Sequence, residues 1–162
     1  FRYFNVCGAS EDGAIGDSKK PSVLLLQNLV RGALGIQEFE LTCPKVETPD
    51  GTPIRDYVDV NDLIEAHYLG FEYLLNGGAS DEFNIGTGRG NSVEEIVCQV
   101  ESVLGVTIPR KQGEMRKGES ARLFASNSKI RQQLGWEPKR ELKDSVESLQ
   151  KWYTARPNGY TY

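Results

Sequence analysis

Four short stretches carry residues whose types and spacing could do chemistry. In TPDGTPIRDYVDV, residues 48–60, a strand would set Ile54, Asp56 and Val58 on one face and Arg55 and Tyr57 on the other. A guanidinium beside a phenol suits phosphate and sugar hydroxyls. An edge-strand ion pair between Arg55 and a carboxylate accounts for the same pattern, and this stretch alone leaves the two readings even. In MRKGES, residues 115–120, Arg116, Lys117 and Glu119 surround Gly118. Arg116 could grip an anion and Glu119 a ribose, although such a loop on its own is more commonly a solvated charged turn. GTGRGNS, residues 86–92, follows a strand and opens a helix, as a dinucleotide-binding turn does. Its glycines are spaced G-x-G-x-G rather than G-x-G-x-x-G, and no clear acidic residue ends a following strand about 20 residues on. It reads as a structural Gly-rich turn edging a pocket. His67, the single histidine, falls mid-helix and reads as packed rather than catalytic.

Composition narrows the classes of function. The chain has 162 residues, enough for one domain with a real core, and 38% apolar against 26% charged residues reads as soluble and globular. A net charge of −4 with scattered Lys and Arg argues against a nucleic-acid partner. The longest apolar run, residues 23–26, is far too short to span a membrane. Cys7, Cys43 and Cys98 are odd in number, far apart and free of any CxxC pair, so neither a disulfide framework nor a metal site is indicated. Reduced thiols in a cytoplasmic protein fit best.

The elements that must position these residues follow from periodicity. Residues 1–6 read as a buried strand, and residues 21–34 as a helix with Val23, Leu26, Leu29, Val30 and Ala33 inward and Gly35 at its end. Short strands are expected at 38–42, 54–60, 82–85 and 106–110. Asn61 or Asp62 should cap a helix whose stripe includes Leu63, Ala66, His67, Phe71, Leu74 and Leu75, stopped by Asn76-Gly77-Gly78. Ser92 and Glu95 form a capping box for the next helix, which ends at Gly105. A short helix over 128–134 and a last one over 142–156 complete the chain. Alternating strands and helices predict an α/β (mixed α+β) fold.

The stretches recur in a specific order: RYFNVCGAS, Ile15-Gly16, TPDGTPIRDYVDVNDLIEAH, FNIGTGRGNSVEEI, RKGESARLFASNSKIRQQLGW and WYTARPNGY. That series resembles the C-terminal half of the UDP-glucose 4-epimerases, NAD-dependent extended short-chain dehydrogenases/reductases, over essentially the whole chain. TPDGTxIRDYxxVxDL is the most specific part. The resemblance implies a mechanism in which a tyrosine base takes the sugar 4-hydroxyl proton while NAD takes the 4-hydride, which returns to the other face. The family's Gly-rich NAD turn, catalytic Ser or Thr and Tyr-xxx-Lys pair lie upstream of RYFN and do not occur here, so no catalytic residue is expected in the chain. It is expected to be inactive alone.

What the resemblance carries over is recognition. Tyr3 and Phe4 match positions lining the nicotinamide, and Asn5 one that bonds the sugar diphosphate. Arg55 and Arg116 match the diphosphate arginines, while Tyr57 and Glu119 match uridine-side contacts, Glu119 replacing a usual aspartate. Leu24 stands at a polar diphosphate position, LTC (residues 41–43) replaces Ile-Phe-Gly beside the uracil, and Leu123 falls at a gate thought to decide whether N-acetyl sugars fit. The whole chain is expected to be the substrate-binding portion of an epimerase, with segments near 1–10 and 54–90 belonging to a Rossmann domain whose N-terminal half is absent. The partners implied are a UDP-sugar and either a second copy or the missing half. Alternatives are a nucleotide-sugar dehydratase or decarboxylase of the same superfamily, and a non-catalytic binding or assembly module. The first strand and the helix after residue 60 should show apolar faces that need another chain, with a dimer, a swapped strand or disorder over residues 1–20 as the consequence.

Overall fold

Fourteen elements alternate through the computed structural model, which describes residues 1–19, 22–114 and 118–160. In chain order they are β1 (Arg2–Tyr3), β2 (Asn5–Cys7), α1 (Leu25–Ala33), β3 (Phe39–Leu41), β4 (Ile54–Arg55), β5 (Tyr57–Asp59), α2 (Val60–Leu75), β6 (Asn84–Ile85), β7 (Asn91–Ser92), α3 (Val93–Leu104), β8 (Arg110–Gln112), β9 (Arg122–Leu123), α4 (Ser128–Leu134) and α5 (Leu142–Ala155). The class is mixed α/β, as the alternation of patterns implies. β1 pairs in parallel with β6, β2 with β5 and β3 with β8, while β4 lies between antiparallel β7 and parallel β9.

The opening stretch is extended but is not one strand. Phe4 N donates to Ile85 O at 3.1 Å and Asn5 N to Asp56 O at 2.9 Å, so the chain changes partner between these two residues. Together with the parallel pairing of β1 to β6 and β2 to β5, these bonds tie down residues 2–7. The 54–60 strand likewise divides at Asp56, whose side chain turns into the protein. α1 begins at Leu25, which leaves Val23 before the helix and 62% exposed rather than on its inner stripe. The strand expected at 106–110 forms later, at β8, because Ile108 is drawn into the core instead. The Ser92–Glu95 capping box forms as expected, with Ser92 Oγ accepting from Glu95 N at 3.1 Å and Glu95 Oε2 accepting from Ser92 N at 2.8 Å. Ser92 Oγ also donates to Asp50 Oδ2.

Two cores result. In one, α1, α3 and α5 pack together through Leu29, Val30, Ile96, Val100, Leu149 and Trp152, all fully buried. In the other, α2 and α4 close over β5 and β6 through Val58, Ala66, Ile85, Ile130 and Trp136. α2 departs from its expected stripe. Leu63 and Ala66 are buried, but Phe71, Leu74 and Leu75 are 60%, 57% and 70% exposed, and Ile64 and Tyr68 share their outward side. His67 is exposed as well, with the Phe1 ring edge-on to it and the Tyr3 ring tilted against it. Its Nδ1 lies 2.8 Å from Leu63 O, which can only accept, so Nδ1 donates there, while Nε2 shares a hydrogen bond with the Tyr3 hydroxyl at 2.8 Å.

Three carboxylates spaced three residues apart fix the junction between these cores. Asp56, Asp59 and Asp62 are 0%, 3% and 0% exposed. Asp56 Oδ1 accepts from Thr87 N and Oγ1 at 2.8 and 2.7 Å, and Oδ2 from Gly88 N and Ala125 N at 2.9 and 3.0 Å. Asp59, rather than Asn61 or Asp62, caps α2: Oδ1 accepts from Asn61 N at 2.8 Å, and Oδ2 accepts from Ser145 Oγ. Asp62 accepts from Lys139 N, Arg140 N and Arg140 Nη1, the last at 2.6 Å.

Removing a buried carboxylate strands its donors, each worth about 1–3 kcal/mol when left unpaired. Asp56→Ala should therefore lower unfolding stability by about 3 kcal/mol or more. Lys143→Ala, which removes an exposed helix pair with Glu147, should cost under about 0.5 kcal/mol. Urea midpoints of the two variants measure the contrast.

Candidate functional site

β4 and β5 carry alternate side chains to opposite sides, and the division at Asp56 decides which side faces a cleft. Asp56 goes inward to the 86–90 turn. Arg55 and Tyr57 go to a cleft of about 790 Å³, within the size range of small-molecule sites. Asn5 reaches the same cleft because β2 pairs with β5 in a register that sets Asn5 opposite Tyr57. Glu119 arrives from the 118–121 segment, which continues into β9 beside β4. The far wall is the start of α1, including Leu24, and the strand segment ending in Leu41, Thr42 and Cys43.

Four of the residues singled out from the sequence are thus brought together: Asn5, Arg55, Tyr57 and Glu119. Arg55 Nη2 donates to Glu119 Oε2 at 3.1 Å, and Nη1 to Ile54 O at 2.9 Å. The ion pair is only 15% and 24% exposed on its two side chains. The two readings of Arg55 therefore coexist: it makes a salt bridge, and it makes that bridge on the wall of a cleft. Tyr3, Phe4 and Leu123 do not line this cleft. Tyr3 and Leu123 are each 53% exposed, and Leu123 sits in register with Arg55 on the neighbouring strand. Arg116 and Lys117 lie outside the described residues.

Burial pushes the Tyr57 phenol far above its ordinary range, and neighbouring Cys7 adds to the rise. Arg55 and a side-chain hydrogen bond with Asn5 oppose it without prevailing. Tyr57 is consequently a neutral hydroxyl, a hydrogen-bonding group and not a base. Burial likewise pushes the Cys7 thiol up to about 12 against a hydrogen bond with Ser145. Cys7 is therefore unsuited to nucleophilic work.

The Gly-rich turn proves structural, in line with its spacing. Its Thr87 and Gly88 N–H groups already hold an anion, the Asp56 carboxylate. At Gly86 a Cβ would meet Asp56 Oδ2 and Ala125 Cβ at 2.6 Å each, so glycine is required by the close approach. The Thr87 and Gly88 N–H donors are therefore engaged within the protein. Among the described residues no group of three or more His, Cys, Asp or Glu is placed to hold a metal ion, and no helix is long and apolar enough to cross a membrane.

A family model described as GDP-mannose 4,6 dehydratase matches residues 20–149. The chain belongs to that family. Within it the similarity is to UDP-glucose 4-epimerases, in agreement with the resemblance read from RYFN through the C-terminal motifs. The epimerase of Lactobacillus helveticus is 41% identical over 98% of this chain and 49% of its own length. A crystal structure of a UDP-glucose 4-epimerase superposes with a TM-score of 0.92 at 43% identity, covering 100% of this chain and 50% of that one. The epimerase of Bifidobacterium longum, solved in complex with NAD+ and UDP, gives 0.88 at 33% identity over 98% of this chain and 48% of that one. The chain spans about half the length of the family members it matches.

Sequence reading missed Gln27, which lines the cleft from the first turn of α1, and the anchoring role of Asp56. The Asp-x-x-Asp-x-x-Asp spacing was the available signal for Asp56. Nothing in the helical pattern marks Gln27.

The native chain keeps Cys7 and Tyr57 protonated, whereas unfolded they titrate near 9 and 10. Above those values the unfolded state binds fewer protons, so stability should fall as pH rises from about 9 through 12. The double substitution Cys7→Ala, Tyr57→Phe should flatten that fall, read from urea midpoints across the window. In native protein a colorimetric disulfide reagent should modify exposed Cys98 quickly and buried Cys7 only on unfolding.

Proposed function

We propose that this chain is the nucleotide-sugar-binding half of a UDP-glucose/UDP-galactose 4-epimerase, and that turnover needs an NAD-binding half. The observation that carries the reading is the cleft where Asn5, Arg55, Tyr57 and Glu119 converge. Partly buried, with its Glu119 partner at 3.1 Å, Arg55 is preorganised and exchanges that carboxylate for a diphosphate, to which charge-assisted bonds are strong. Glu119 then accepts from ribose hydroxyls. The neutral Tyr57 hydroxyl and the Asn5 amide bond the ligand without adding negative charge beside it. By the family resemblance, Arg116 would join Arg55 on the diphosphate and Leu123 would stand at the sugar gate. When bound, NAD supplies the hydride acceptor; Tyr3 and Phe4 are the residues of this chain that would border its nicotinamide.

The outward face of α2 supports the half-protein reading. Ile64, Tyr68, Phe71 and Leu75 recur on one side of the helix, near 60–70% exposed, and Phe1 packs edge-on to His67 next to them. An apolar stripe of that kind is normally covered. Residues 1–10 and 54–90 are then the end of a Rossmann domain, and the remainder is the substrate-binding domain of a cytoplasmic enzyme that works as a dimer. The dehydratase description of the family model favours a second reading, dehydration of a nucleotide sugar. The TPDGT lead into IRDY and the epimerase similarity favour the first. A non-catalytic binding or assembly module is the remaining reading, of a different class.

Titration calorimetry of this chain with UDP-glucose should detect weak binding, and Arg55→Ala should weaken it at least tenfold. A coupled assay with added NAD should detect no epimerisation. Turnover by the chain alone would overturn the dependence on an NAD-binding half, and failure of UDP-glucose to bind would overturn the reading itself.

A further inference from the structure

The cleft contains a polar group that neither its ion pair nor the nucleotide-sugar motifs account for. Gln27, in the first turn of α1, is 3% exposed, yet its Oε1 has no hydrogen-bond partner among the described residues. Leu24, Leu25 and Leu26 precede it, and Leu26, Leu29 and Val30 of the same helix are in the core, where an amide oxygen without a donor is costly. The end of α1 is equally unfinished. Leu24 at its cap makes no side-chain bond, and the first turn holds no acidic residue to balance the N–H groups exposed there. Gln27 and Leu24 both line the same cleft as Arg55.

Buried polar groups in folded proteins are paired with high regularity, and an exception inside a binding cleft is a group whose partner arrives with the ligand. We propose that Gln27 is a specificity-determining residue of this cleft: its carboxamide oxygen accepts a hydrogen bond from an O–H or N–H of the bound nucleotide sugar. The inference rests on the nucleotide-sugar reading of the cleft and adds a residue to it. The three rotatable bonds of the side chain let the carboxamide turn from the wall of α1 toward the ligand without moving the helix. The asymmetry of such sites gives the residue its discriminating power. A ligand that offers the donor relieves an unpaired oxygen, whereas one that lacks it leaves that oxygen buried and unpaired. An apolar residue at this position would treat both ligands alike.

The test uses the full chain, with UDP and UDP-glucose as separate probes, and two substitutions of similar volume, Gln27→Leu and Gln27→Met. Both should melt no lower than the parent chain, because they remove an unpaired polar atom from apolar surroundings. Both should bind UDP-glucose about tenfold more weakly, the loss of one hydrogen bond in a closed site. Equal weakening for UDP locates the donor on the nucleotide; weakening for UDP-glucose alone locates it on the hexose. In the parent chain, the side-chain amide resonance of Gln27 should shift on titration, a readout that does not depend on either variant folding. If the parent binds both probes while the variants bind equally well and the resonance stays still, the role of Gln27 is overturned and the cleft reading stands. If the parent binds neither probe, the cleft reading fails and the inference with it.

Discussion

The carboxylate of Asp56 is the constraint on which the rest of the arrangement depends. It is fully buried and accepts four hydrogen bonds, from Thr87, Gly88 and Ala125. A buried anion without such donors would be prohibitively desolvated, so the 86–90 turn and the 122–127 segment must both close on it. That closure places β9 beside β4 and brings Glu119 to Arg55. Because neighbouring strand residues face opposite ways, turning Asp56 inward also turns Arg55 and Tyr57 outward into the cleft. Asp59 and Asp62 repeat the device one and two steps along. They tie the start of α2 to α5 through Ser145 and to the 139–140 segment through its backbone and Arg140. One strand and the helix that follows it thus clamp the 86–90 turn, the 122–127 segment, the 139–140 segment and α5.

The cleft inherits its chemistry from this scaffold. Its cationic group, Arg55, is held by one carboxylate and one backbone carbonyl, its phenol is kept neutral by burial, and its far wall is the uncapped start of a helix. Each of these favours an anionic, hydroxyl-rich ligand over an apolar one. The nucleotide sugar proposed as its ligand would meet that preference. The open side of the molecule lies elsewhere, on α2 and the first residues, so ligand binding and the covering of the apolar face are properties of different surfaces.

Much of the local structure was legible in advance. α3 begins at the Ser92–Glu95 box and ends before Gly105, and α5 buries Val146, Leu149 and Trp152 on one face, because capping and a 3.6-residue period are short-range properties. The errors cluster where distant partners compete. The strand over 1–6 divides because Ile85 and Asp56 claim adjacent N–H groups. The outward turn of Phe71, Leu74 and Leu75 agrees with the apolar face that the family resemblance implied for this helix, but hydropathy alone did not supply it, since an apolar stripe gives no indication of which neighbour, or whether any, covers it.

By itself, the sequence determined the alternation of elements, the residue types able to bind a sugar diphosphate and the family to which the ordered motifs point. Those properties depend on local spacing and on side-chain chemistry. Only the tertiary structure decided that Arg55 meets Glu119, that the glycines of 86–90 hold Asp56 instead of a cofactor phosphate, and that Gln27 reaches the cleft unpaired. Each of these joins residues tens of positions apart or depends on what the surrounding core withholds. Such pairings are set by packing and by the cost of burying an unmet polar group, and neither is written in any one stretch of chain.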